Sequence, residues 1–594
     1  MDPGMERNGS PVAQAGDSIG TKRPLADSNN RSSVLLVLWL LPLVFLALFY
    51  VYPLLNITSI SFARAEGDAL LAFWETISAS RTRGVLWFTV WQAALSTLIT
   101  LLIGLPGAYL FARYRFQGKQ FLRALTSIPF VLPTLVVAAA FNALLGPRGW
   151  VNLGLMSLFG LTQPPLHFSN TIAAILTAHV FYNTTIVLRM VGDFWSYLDP
   201  HLGDAARVLG ANRWQVLRKI TLPLLSPAIA AAALLVFIFD FTSFGVILIL
   251  GGPKFATLEV EIYYQTISLF DLPTAATLAI LQLLCTLMLT IVYTHLSARL
   301  SRPIEKRGHE ITQHTPKGGI EKLAVVTNVI LLVALLVTPL LGLTARSFTR
   351  FGTAPRGQQV EQGFTFDNYL ELSENPLGSI FFVTPAAAIR NSLIYAAATV
   401  LLAIIIGLPA AWALAREQGA RINRWLDPLL MLPLGTSAVT LGLGFIVALD
   451  SPPLNLRASP ILVPIAHTLV AFPFVVRSLT PALRSIQPGL RKAAAILGAN
   501  PFQVFLTIDL PLIGRAVIVA GVFAFTISMG EFGATALIAR PEFPTIPVAI
   551  FRFLSRPGAI NFGEAMALST ILMAVTAGGM LLIERFRVAD IGEF

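Results

Sequence analysis

Apolar stretches long enough to cross a lipid bilayer recur twelve times along this 594-residue chain, and nothing else restricts its fold so tightly. A span needs about 20 consecutive apolar residues as a helix. The clearest stretch, 34–55, would extend roughly 33 Å at 1.5 Å per residue. In the first half the others lie near 86–111, 124–145, 171–192, 222–250 and 275–297. The second half supplies 323–345, 392–415, 427–449, 460–476, 511–538 and 565–583. Hydrophobic residues make up 55% of the chain and charged residues 12%, whereas about a quarter of an average soluble domain is charged. The expected fold class is an all-α polytopic membrane protein with about 12 transmembrane helices.

The twelve stretches form two sets of six, and the sequence repeats between them. Asp204, Ala205, Ala206, Gly210, Ile220, Leu222 and Pro223 stand 288 residues before Lys492, Ala493, Ala494, Gly498, Ile508, Leu510 and Pro511. The same offset relates Ala178-His179 to Ala466-His467, Phe244-Gly245 to Phe532-Gly533, and Thr257 to Thr545. Nearer the N-terminus, Ile103-Gly104-Leu105-Pro106 returns as Ile406-Gly407-Leu408-Pro409 at an offset of 303, because the first copy has the longer loop after its third helix. Six is an even number, so both copies enter the bilayer in the same direction. Two parallel six-helix repeats imply a pseudo-twofold axis along the membrane normal, with a pathway at the seam. The expected division is a flexible cytoplasmic tail at 1–33, a first membrane unit at 34–300, a linker at 301–322 and a second membrane unit at 323–594.

The formal charge of +11 does not point to nucleic acid, because the basic residues are scattered through short loops. Arg113, Arg115, Lys119 and Arg123 lie between the second and third stretches, whereas the loop 146–170 has Arg148 alone. Basic loops stay cytoplasmic. Arg299, Arg302, Lys306, Arg307, Lys317 and Lys322 place the linker on that side too, so both termini and both repeated loops are expected in the cytoplasm. The partner implied by composition is the lipid bilayer. The first apolar stretch is too long for a typical signal-peptide core and reads as a retained helix. Cys285 is the only cysteine, which excludes an intrachain disulfide and a cysteine-based metal cluster.

In each repeated loop, paired alanines followed by a glycine allow a short helix to lie close against another protein and then turn sharply. Pro223 and Pro511 suit the first turn of the next helix, where no backbone donor is lost. Motion of the loop would therefore pass into the fifth helix of each copy. Pro106 and Pro409 fall inside helical patterns and would kink them, either as hinges or as ordinary transmembrane prolines.

This doubled spacing resembles the EAA loop of bacterial ABC importer permeases, over roughly 86–297 and 389–586. Both copies depart from the pattern at its leading glutamate, replaced here by Asp204 and Lys492. The resemblance implies a bacterial inner-membrane protein that works with an extracytoplasmic substrate-binding protein and two cytoplasmic ATPase subunits, each loop seating in one ATPase. ATP and magnesium would be held by that partner. The chain has no phosphate-binding loop of its own, since Gly118-Lys119-Gln120 lacks the spacing and the hydroxyl. No cofactor and no catalytic residue is expected in it.

Ionisable residues inside membrane helices are costly and mark candidate pathway sites. Asp240 lies 18 residues into the fifth stretch and Glu531 lies 20 into the eleventh, near the expected outer mouth. They would form an acidic vestibule for a cationic solute, or else cap neighbouring backbone groups. His179 and His467 occupy equivalent places and make either a polar contact across the seam or packing within each copy. Fused double permeases of this length resemble those for thiamine or ferric iron. Phe241-Thr242-Ser243-Phe244, Leu250-Gly251-Gly252-Pro253 and Glu261-Ile262-Tyr263 look most like thiamine permeases, while the second half resembles both kinds. The rival reading is a secondary transporter driven by an ion gradient, which would need proton- or ion-carrying groups near the midplane and would not need the two loops.

Overall fold

A computed structural model describes residues 39–63, 69–300, 313–349, 363–374, 383–416, 423–450, 452, 454–556 and 558–586. The expected tail 1–33 and linker residues 301–312 lie outside them. Among the described residues, ten helices are long and apolar enough to span a membrane, and two bent pairs bring the number to twelve. The first half holds α1 (Trp39–Phe62), α2 (Ser80–Arg113), α3 (Thr134–Phe159), α4 (Ile172–Tyr197), α5 (Arg213–Phe241) and α6 (Leu272–Ser297). The second holds α7 (Gly319–Ser347), α8 (Pro385–Ala415), α9 (Leu426–Gly435 with Ala438–Ala448, bent by 96°), α10 (Leu462–Arg484), α11 (Pro501–Leu512 with Gly514–Gly530, bent by 74°) and α12 (Ala559–Ile583). Among the described residues outside the helices, two isolated bridges join extended segments, Tyr114 with His314 and Thr349 with Phe364.

Corresponding helices pack alike in the two halves. A Cβ on Gly104 of α2 would stand 2.8 Å from Val187 of α4, and one on Gly407 of α8 would stand 2.8 Å from Val475 of α10. Small residues let these helix pairs approach closely where van der Waals contact has to replace the hydrophobic drive. The leading helix of each half leans on the other half. Pro53 and Ile57 of α1 press on Gly444 of α9, while Gly342 of α7 sits beside Leu144 and Trp150 of α3, with the Trp150 indole donating to the Gly342 carbonyl at 3.1 Å.

Three boundaries differ from the sequence reading for physical reasons. The third span starts at Thr134 instead of near 124, because Pro129 and Pro133 interrupt the helix and Leu132, before a proline, takes extended geometry (ψ 139°). The fifth and eleventh spans begin well before Pro223 and Pro511. A π-helical turn at Leu217–Thr221 or Phe505–Asp509 precedes each proline and lets the helix continue through it. Both spans also end early, at Phe241 and Gly530. In the second, the Glu531 carboxylate accepts from the backbone N–H of Ala534 and Thr535 at 2.9 and 3.1 Å, a local alternative to the helical ladder. Pro106 and Pro409 lie within continuous helices, Ser80–Arg113 and Pro385–Arg416.

Candidate functional site

The repeated loops fold into two near-identical levers. Pro200–Val208 and Pro488–Ile496 are short helices, each opened by its proline and without a single buried residue. Each ends on a glycine in the left-handed region, Gly210 and Gly498, both at φ +88°. The closing hydrogen bonds agree: Gly210 and Ala211 donate to Arg207 and Ala206, and Gly498 and Ala499 donate to Ala495 and Ala494. Next comes a reciprocal cap, Asn212 with Gln215 in one copy and Asn500 with Gln503 in the other. From that cap the chain runs into α5 or α11 without a break as far as Phe241 and Leu512, so Ile220, Leu222 and Pro223, like Ile508, Leu510 and Pro511, are helical.

Four apolar side chains per lever remain uncovered, and sequence reasoning did not single them out. Val208 and Leu209 are 87% and 88% exposed, and their counterparts Ile496 and Leu497 are 84% and 88% exposed. Leu202 and Trp214 pair in the same way with Leu490 and Phe502. The 288-residue offset carries the signal, since all four pairs keep apolar character around the motif. Asp204 and Lys492 are exposed on these helices, and Asp204 has Arg207 at 3.5 Å.

The levers differ where they join the bundle. In the second, the fully buried Asp509 accepts from Arg491 Nε at 2.6 Å and from Trp412 Nε1 of α8 at 2.9 Å, and Arg491 also donates to the Leu483 carbonyl at the end of α10. The corresponding residues of the first copy are Thr221, Gly203 and Tyr109, which cannot build that ion pair. Nearby, in the loop after α2, Lys119 donates to the Tyr114 carbonyl at 2.8 Å. Burial, reinforced by Arg123 and Arg115, pushes its ammonium pKa down to about 8.

The four candidate pathway residues assemble into two related clusters inside the protein. His179 places Nε2 2.8 Å from Ser243 Oγ and Nδ1 3.4 Å from Asp240, whose carboxylate also accepts from Asn183 at 2.7 Å. His467 places Nδ1 2.7 Å from Ser528 Oγ and Nε2 2.8 Å from Thr535 Oγ1, with Glu531 at 3.3 Å. Asp240 corresponds to Ser528 and Ser243 to Glu531, so acid and serine exchange places around equivalent histidines. Each histidine bonds within its own half. Both carboxylates are buried; Asp240 accepts from Asn183 through Oδ1 while its Oδ2 has no hydrogen-bond partner among the described residues, Glu531 serves partly as a backbone cap, and neither lines the two clefts found near Arg457 and near Arg552.

Immediately after Ser243 and Glu531 come the rings that meet at the seam. Phe244 stacks on its own repeat counterpart Phe532, with centroids 5.4 Å apart and planes 22° apart. Tyr263 lies 5.4 Å from Phe244, and its counterpart Phe551 lies 5.4 Å from Phe532, so four rings form a chain with the pseudo-twofold axis at its centre. Close backbone approach frames them. A Cβ on Gly245 would stand 2.4 Å from Thr134 Oγ1 and 3.3 Å from Phe532, and one on Gly533 would stand 2.9 Å from the Ala438 Cβ. Beside the rings, Glu259 crosses between halves, accepting from Gln282 Nε2 of α6 and from Ser437 Oγ at the bend of α9, each at 2.5 Å. Tyr50 of α1 adds a 2.6 Å contact to Thr436 at the same bend.

Twelve apolar spans in two parallel units, a shared seam and a lever on each unit define a membrane transport permease. The chain belongs to the family of binding-protein-dependent transport system inner membrane components, whose family model matches it twice, over residues 101–302 and 403–586. Two such domains on one polypeptide make it a fused double permease of the ABC importer type, a multi-pass inner-membrane protein. It is 29% identical to the thiamine transport system permease protein ThiP of Brucella abortus over 502 residues, 84% of this chain and 86% of that protein. The permease of the same description from Escherichia coli is 26% identical over 523 residues, 86% of this chain and 91% of that one. Among solved structures, a chain of a bacterial alginate ABC transporter, in complex with a periplasmic protein carrying an alginate pentasaccharide, aligns at a TM-score of 0.39. That alignment has 18% identity and covers 47% of this chain and 99% of the other.

Proposed function

We propose that the chain is the permease through which thiamine, handed over by an extracytoplasmic binding protein, crosses the inner membrane, driven by two ATPase subunits on the cytoplasmic side. The observation that carries this reading is the pair of exposed levers. Each is a short helix with its apolar residues uncovered, ended by a left-handed glycine and followed, through a capped turn, by the start of a spanning helix. Uncovered apolar side chains at matched positions fit a cleft on two copies of one partner. The names of the relatives support thiamine as the solute. Both termini and both levers are cytoplasmic in this proposal, as the basic loops require.

The test is uptake of labelled thiamine, with ferric iron as the second solute, by proteoliposomes holding the permease, its ATPase and its binding protein. Thiamine uptake that requires ATP is expected. Uptake driven by an ion gradient without ATPase would refute the importer mechanism, and uptake of iron but not thiamine would correct the solute. Gly210→Val and Gly498→Val probe the levers. Nothing lies within 4 Å of a Cβ at either site, so the cost is that of a β-branched residue held at φ +88°, about 1–2 kcal/mol. The expected outcome is an inserted chain whose partner hydrolyses ATP with less transport per ATP. Unchanged transport in both variants would count against docking there.

A further inference from the structure

We infer that the Phe244–Phe532 stack is both the closed gate of the pathway and a transit station that binds a flat aromatic cation when the gate opens. This inference rests on the importer reading above and deepens it by assigning a role to residues at the seam. On a pseudo-twofold axis each residue faces its own counterpart, and a pathway along that axis is closed by whatever meets there. The residues that meet are two phenylalanines, 6% and 3% exposed. The polar residue just before each ring, Ser243 or Glu531, bonds to a histidine within its own half, so its hydrogen bonds do not cross the axis. What closes the seam at this point is a pair of aromatic faces, an apolar constriction of the kind that excludes water and ions.

Rocking the halves apart separates Phe244 from Phe532 and leaves each ring without its stacking partner. A planar solute of similar size restores both contacts at once by sliding between them, and a positive charge on it gains further from the negative ring faces. Tyr263 and Phe551, tilted against Phe244 and Phe532 at 5.4 Å each, extend the surface to four rings with the same symmetry. The station therefore favours an aromatic cation, the chemistry of thiamine. A bare or hydrated metal ion gains no stacking from it.

Two measurements on the reconstituted complex test the idea. Replacing both rings by leucine keeps apolar bulk and removes the π faces. Thiamine uptake at subsaturating concentration is expected to fall about tenfold, the effect of losing about one stacking and one cation–π contact, and to recover in Phe244→Tyr/Phe532→Tyr. Phe244→Ala/Phe532→Ala opens the constriction, and liposomes carrying it are expected to leak small ions that the wild-type protein retains. The single leucine variants keep the test open should the double variant fail to assemble. Wild-type thiamine uptake in the leucine variants overturns the station, and tight liposomes with the alanine variant overturn the gate. A wild-type complex that ignores thiamine defeats the functional reading itself, a result distinct from either of these.

Discussion

Removal of the Asp509 carboxylate should disable one lever and leave the other intact. In the structure this group is wholly buried and accepts charge-assisted hydrogen bonds from Arg491 and Trp412, at 2.6 and 2.9 Å. Breaking a buried ion pair by deleting one partner costs about 3–5 kcal/mol, because the remaining charge loses its compensation. The Arg491 side chain retains 19% exposure and can turn towards water, so the lower end, about 3 kcal/mol, applies to Asp509→Ala. The corresponding change in the first lever, Thr221→Ala, removes no ion pair and should stay within about 0.5 kcal/mol. Thermal unfolding of the purified chain reads the stability difference. A cycle of Arg491→Gln, Asp509→Asn and the double variant isolates the pair, with an expected coupling of about 1–3 kcal/mol. In proteoliposomes the ratio of ATP hydrolysed to solute moved should rise for Asp509→Ala and not for Thr221→Ala. Equal effects of the two substitutions, or a coupling near zero, would show that the second lever is no more firmly bolted than the first.

Gly104→Ala and Gly407→Ala should each destabilise the chain by about 1–3 kcal/mol, since the new methyl lands 2.8 Å from a valine. Gly84→Ala, with open space around it, should not; unfolding midpoints decide. Asp240→Ser should lower the yield of folded protein by leaving Asn183 without its acceptor and His179 without its acidic neighbour, and Asp240→Ser/Ser243→Glu should recover most of it by copying the second half's arrangement; no recovery would mean the exchange of acid and serine is not compensatory. Lys119 carries its proton only up to about pH 8, against 10.5 for a free lysine. The unfolded chain binds more protons between those values, so Lys119's contribution to stability rises with pH across that window and is least below about 8. Acetic anhydride labelling of Lys119 should half-saturate near pH 8, and half-saturation near 10.5 would refute its burial.

The fold was largely legible because bilayer chemistry writes itself into composition: the spans follow from apolar length, and the parallel repeat follows from the 288-residue register of Gly210 with Gly498 and Pro223 with Pro511. Boundaries moved where hydrophobicity does not report backbone chemistry, as at Pro133 and at the π-helical turns before Pro223 and Pro511. The lever glycines could be read from the sequence; their apolar faces could not, because exposure of Val208 and Leu209 depends on what the folded chain leaves uncovered. Asp240 and Glu531 attracted attention as acids at similar depth. The 288-residue register already makes them non-counterparts, and the folded arrangement adds that each stands beside the histidine of its own half. The repeat placed Phe244 and Phe532 in register, each just past the end of a span, but that the two rings meet 5.4 Å apart depends on how the halves pack.

The polar ties around Glu259 occupy one flank of the axis alone. Glu259, Ser437 and Tyr50 join the halves there, while Pro547 stands where the repeat relates it to Glu259, and Pro133, which caps the start of its helix as Ser437 does in the other half, rests on Gly530 by apolar contact. Buried hydrogen bonds are expensive to break without replacement, whereas apolar faces slip past one another at small cost. The α3–α7 contact adds the Trp150 indole bond to the Gly342 carbonyl, so a chain with twofold architecture is fastened unequally about its axis, by carboxylate and hydroxyl on one side and by an indole and apolar faces on the other. Its two edges should part unevenly, more like a door than an iris.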